Sequence, residues 1–123
     1  MKTDTTGDVK IAACGEGLYV MSCPQEMDWQ ARLDLVAAVK AASAGSSLRG
    51  VVVDMSAVTF ISSAGIGAIF ALRKYLQGGG ARMAATGATV TVRRLLDTVM
   101  MSELVPIVET VAEARELLAS GGE

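Results

Sequence analysis

At 123 residues and 12.7 kDa the chain is the size of one domain, and 51% apolar against 20% charged residues, with a mean hydropathy of +0.43, is enough to build a packed core. A net charge of -2 and an isoelectric point near 5.1 remove the basic field on which sequence-independent phosphate binding depends, so nucleic acid is disfavoured as a partner. The chain holds no histidine, which excludes a Ser-His-Asp triad, a phosphohistidine relay and histidine metal ligands.

The first ten residues are polar and charged where a secretory signal needs an apolar stretch. No apolar run approaches the roughly 20 residues of a membrane-spanning helix. The expectation is a cytoplasmic protein that does not insert into a bilayer. Residues 9–14 and 18–22 are short extended runs around Gly15-Glu16-Gly17 and predict a β-hairpin. With Cys14 facing Leu18 across the turn, Cys23 lies roughly 17 Å further along, beyond the about 7 Å that a disulfide spans. Both thiols are expected reduced and packed as small apolar side chains.

Asp28 can cap a helix over residues 29 to about 44, with Trp29, Leu33, Val36 and Val39 among its apolar positions, Trp29 as its anchor and Gly45 at its end. Gly50 opens Val51-Val52-Val53, a β-branched run without alternation, as expected of a central strand covered on both faces. Asp54 closes it. A loop over residues 55–62 leads into a helix over residues 63–77, with Ile66, Ile69, Phe70 and Leu76 on one side and Gly78-Gly79-Gly80 as the stop. Residues 82–86 read as a strand. Val92, Leu95, Leu96, Val99 and Met100 follow at helical spacing. Residues 105–108 form a last strand that Pro106 confines to the sheet edge. Thr110 and Glu113 make a capping box for a C-terminal helix with Ala114, Leu117 and Leu118 inward, and residues 120–123 fray. A hairpin followed by alternating helices and strands implies an α/β fold around a mixed, largely parallel sheet. One domain spans residues 1–123, with an ordered core of about 8–119.

In open α/β sheets, sites gather at the carboxyl ends of the strands. The loop after Val53 ends in Ser62-Ser63-Ala64-Gly65-Ile66-Gly67, two hydroxyls and two glycines at a helix start. A helix N-terminus offers unpaired N–H groups and about half a positive charge, and tolerates an added anion. Gly65 and Gly67 would keep the first turn open to another molecule. The plainer reading is a serine cap with close-packing glycines. Asp28 and Asp54 read as caps, the triple glycine as a helix stop, Arg93 and Arg94 as solvated, and Met100-Met101 as packing. No metal and no cofactor are expected.

Residues 51–74, VVVDMSAVTFISSAGIGAIFALRK, resemble the core signature of the anti-sigma factor antagonists, the stand-alone bacterial STAS domains: an apolar strand, Asp-x-Ser, a spacer, an aromatic and an apolar residue, Asp-Ser-Ser-Gly-Leu-Gly, then an apolar helix. Glu26-Met27-Asp28 is similar to the family's Glu-Leu-Asp before the first helix, and Val92-Arg93-Arg94-Leu95-Leu96 to the helix after the fourth strand. The resemblance implies a non-enzymatic switch: unphosphorylated antagonist binds a serine-kinase anti-sigma factor and releases the sigma factor, phosphorylation of a loop serine turns it off, and a serine phosphatase restores it. Carried over, the phosphoacceptor falls on Ser63. Ser62 stands where the family usually has aspartate and is the alternative acceptor, while Ala64 replaces the family's second serine. The implied partner-binding face comprises Asp28, Ser62, Ser63, Ala64, Gly65, Ile66 and Gly67, with neighbours from the hairpin end and first helix, on a monomer or weak dimer. Two rivals remain. One is a STAS adaptor in a lipid-transport or sensory assembly without a phosphorylation switch. The other is a small enzyme with Ser63 as nucleophile, for which Lys2, Lys10, Lys40 and Lys74 are the only base candidates beside carboxylates.

Overall fold

The computed structural model describes residues 3–6, 8–45 and 47–120; the frayed tail expected at residues 120–123 lies, from 121 on, outside them. Six strands form one sheet in the order β1-β2-β3-β5-β7-β8: β1 Thr3–Thr6, β2 Val9–Gly15, β3 Leu18–Ser22, β5 Gly50–Asp54, β7 Arg82–Thr86 and β8 Ile107–Val108. β1, β2 and β3 pair antiparallel, and β3, β5, β7 and β8 pair parallel. The helices are α1 Trp29–Ala42, α2 Ser63–Gly78, α3 Val90–Thr98 and α4 Val111–Ser120, with a 3₁₀ turn at Met101–Glu103. This is the mixed, largely parallel α/β sheet that the order of elements predicts. Three features stand outside that reading: β1, and the two-residue strands β4 Glu26–Met27 and β6 Phe60–Ile61, which pair with each other.

Val51, Val52 and Val53 are fully buried because both faces of β5 are covered. Val51 and Val53 join a core with Ala31 and Leu35 of α1, Ala68 and Leu72 of α2, and Val92 and Leu96 of α3. Val52 points the other way, to Ala114 and Leu118 of α4. Each such valine contributes about 1.5–3 kcal/mol by leaving water. Pro106 precedes β8 at the sheet edge, and its carbonyl accepts the Ala85 N–H at 2.8 Å. Thr110 Oγ1 accepts the Glu113 N–H at 3.0 Å and starts α4 as expected.

Two faces differ from the periodicity reading. The buried stripe of α1 is Ala31, Leu35, Ala38 and Val39, spaced i, i+4, i+7, i+8, whereas Trp29 and Leu33 are 65% and 59% exposed. Trp29 does not anchor the helix; small alanines carry the contact instead. In α3 the inward residues are Val92 and Leu96, while Leu95, Val99 and Met100 are exposed. The helix ends at Thr98, and Met100 turns the chain with φ +60°, a left-handed conformation rare for a residue bearing a side chain, before Met101 buries.

Candidate functional site

The site is built on the β4–β6 ladder. Glu26 pairs with Phe60 and Met27 with Ile61 in parallel register; the inner residues Met27 and Ile61 are buried, and the outer residues Glu26 and Phe60 are exposed. The next residue on each strand is a helix cap. Asp28 Oδ1 accepts the Gln30 N–H at 3.0 Å and starts α1. Ser62 Oγ accepts the Gly65 N–H at 3.1 Å and starts α2. Asp28 is thus a cap, as its place in the sequence implies, and Asp54 likewise accepts the Ser56 N–H at 3.0 Å. α1 and α2 leave the ladder in step, so Trp29 and Ser63 occupy the same first helical position.

Ser62 does more than cap. Its N–H donates to the Met27 carbonyl at 2.9 Å, and its hydroxyl donates to the same oxygen at 3.3 Å. Ser63, one residue on, is exposed, and its hydroxyl has no hydrogen-bond partner among the described residues. Ala64 is exposed beside it, and Ile66 and Gly67 are half-buried.

The expectation that Gly65 leaves the first turn open to another molecule is corrected. Gly65 is buried, and a Cβ placed on it would lie 2.1 Å from the Met27 carbonyl oxygen. Its missing side chain lets α2 sit against the backbone of β4. The hairpin turn, expected among the neighbours of this face, lies at the other end of the sheet: the Gly17 carbonyl accepts the Arg49 and Gly50 N–H groups at 2.8 and 3.2 Å, where β5 begins. Trp29, Leu33 and Phe60 take its place, all more than half exposed. Trp29, Leu33, Val36 and Lys40 follow one helical stripe, and the Lys40 ammonium stands 5.4 Å from the centre of the Tyr75 ring on α2. That stripe therefore runs along the flank of α2. A helical projection that counts alanine as apolar places Trp29 and Leu33 outside the buried arc, which is the signal that could have found them.

Three hollows lie away from the two serines. A groove of about 660 Å³ beside Asp28 is lined by Asp8, Glu26, Asp34 and Lys10 among others, and cavities of about 260 and 590 Å³ lie along the distal half of α2; Ser62 and Ser63 line none of the three. Burial pushes the Cys23 thiol up to about 12, with the Asp54 carboxylate adding to it. Burial also raises the Cys14 thiol, partly offset by Arg115. Both cysteines are free.

No curated protein matches the chain in sequence. Among solved structures, the unphosphorylated anti-sigma factor antagonist SpoIIAA superposes with a TM-score of 0.71 at 18% identity, covering 92% of this chain and 96% of that one. The Bacillus cell fate determinant SpoIIAA in its phosphorylated form gives 0.66 at 16%, covering 88% and 96%. An anti-sigma factor antagonist from Mycobacterium paratuberculosis gives 0.68 at 21%, covering 91% and 95%. The murine anion transporter Slc26a9 gives 0.70 at 18%, but there the match covers 89% of this chain and only 19% of the transporter. These likenesses establish a shared fold. Residues 10–114 match the STAS domain family, and the chain belongs to it.

Proposed function

We propose that this STAS domain is an anti-sigma factor antagonist acting in the cytoplasm. Unphosphorylated, it binds a serine-kinase anti-sigma factor and frees the sigma factor; phosphate on Ser63 turns it off, and a serine phosphatase reverses the mark. The observation that carries the reading is the exposed Ser63 hydroxyl at the first position of α2. The near end-to-end coverage of antagonists such as SpoIIAA supports it further. Among the described residues no helix is long and apolar enough to cross a membrane.

Phosphate adds about -1.5 to -2 charges, and at a helix N-terminus it meets a favourable field, so the free domain keeps its fold. Against a partner the same group loses its water. An uncompensated buried charge costs roughly 3 to 5 kcal/mol, or about two to four orders of magnitude in affinity. The test is incubation with ATP and serine-kinase anti-sigma factors, followed by peptide mapping and calorimetry. Phosphate on Ser63 and at least a hundredfold loss of affinity are expected. Equal affinities of the two forms overturn the mechanism. The likeness to the STAS portion of Slc26a9 favours a second reading, an adaptor domain without the switch; failure of every kinase to modify the chain would select it.

A further inference from the structure

We infer that the Ser62 hydroxyl is a latch that withholds itself from phosphorylation and so directs transfer to Ser63; this rests on the phosphorylation reading above. A hydroxyl has one proton to donate. At Ser62 that proton points to the Met27 carbonyl at 3.3 Å, while a lone pair receives the Gly65 N–H at 3.1 Å. Transfer requires the serine oxygen to form a bond to the γ-phosphorus of ATP as the bond to the bridging oxygen breaks. ADP leaves with the electron pair, and the hydroxyl proton passes to a base on the kinase. Ser62 can present its oxygen this way only by withdrawing its proton from the Met27 carbonyl and turning an oxygen that the Gly65 N–H holds, which loosens the cap of α2. Ser63 gives up none among the described residues.

The latch needs a hydroxyl. Aspartate, which the family pattern has at this position, could still accept the Gly65 N–H, but its carboxylate carries no proton at neutral pH. A carboxylate oxygen would then oppose the Met27 carbonyl across the contact that serine closes. Threonine has both a donor and an acceptor, and alanine has neither. Ser62 is therefore a positioning residue whose donor and acceptor functions can be separated by substitution.

The test uses the full chain with Ser62→Thr, Ser62→Asp and Ser62→Ala. Amide hydrogen exchange is followed at residues 62 and 65, and transfer from ATP by a serine-kinase anti-sigma factor is mapped by residue. Threonine should keep both amides within about twofold of the wild type. Alanine should speed both by about five- to tenfold, the scale of one net hydrogen bond, and aspartate should speed residue 62 while sparing residue 65. In Ser63→Ala, incorporation at Ser62 should stay below a hundredth of the wild-type rate at Ser63. Faster incorporation, or unchanged exchange in Ser62→Ala, overturns the latch. A wild-type chain that takes no phosphate from any kinase overturns the phosphorylation reading instead, and the exchange measurements still decide whether the latch exists.

Discussion

Trp29 and Ser63 stand at matching positions: each is the first residue of a helix, and the two helices leave one parallel strand pair in register. An exposed indole and an exposed hydroxyl thus open α1 and α2 on the same side of the β4–β6 ladder. Trp29→Ala should weaken anti-sigma factor binding by about thirtyfold or more, the usual cost of removing an aromatic hot spot. It should scarcely move the melting temperature, because the ring is 65% exposed. Unchanged binding in calorimetry would remove Trp29 from the interface.

Gly65 and Gly78 lie in the same helix and should respond oppositely to alanine. At Gly65 the new methyl would meet the Met27 backbone at 2.1 Å, and no rotamer can relieve that. A loss of about 2–3 kcal/mol in urea unfolding is expected, the upper range for overpacking. At Gly78 nothing lies within 4 Å, so alanine should gain up to about 1 kcal/mol from its better helix propensity. If both variants unfold at the wild-type midpoint, the close approach at Met27 is absent in solution.

Thr86 closes β7 with its hydroxyl buried and without a hydrogen-bond partner among the described residues. Thr86→Val keeps the shape and removes the stranded polar atom. It should leave stability unchanged or raise it by about 1 kcal/mol. A clear fall in melting temperature would reveal a partner for that hydroxyl.

The raised thiol of Cys23 sets two pH effects. With the group near 12, the thiolate at pH 8 is about one part in ten thousand, so iodoacetamide should reach Cys23 only when the domain opens. Folding also depends on this proton. Above about pH 9 the unfolded chain releases it while the folded chain holds it, so this contribution to stability, full below pH 9, is lost as pH rises towards 12. Cys23→Ala should flatten that alkaline decline, measured by chemical denaturation at successive pH values.

Much of the fold can be read from local pattern. The β-branched run at Val51–Val53, the capping pairs at Asp28 and Thr110, and Pro106 at the edge each carry their own physical signature, and the structure agrees with all of them. What could not be read depends on contacts between distant residues. β4 and β6 are two residues each and exist only as partners. Alanines hide the buried stripe of α1, whereas the size of Trp29 and Leu33 suggests burial for residues that are exposed. A glycine pair at a helix start looks alike whether the space over it is open or filled, and only the position of Met27 distinguishes the two at Gly65.

The contact between Ser62 and Met27 spans 35 positions of chain. A short peptide copied from residues 54–70 lacks the carbonyl that aligns the start of α2, and with it the geometry that turns Ser63 outward. A kinase of the kind proposed would therefore read Ser63 on the assembled domain and not as a linear motif. Under the proposed switch, a misfolded copy of the chain would be invisible to the kinase, so that only molecules able to bind would be marked.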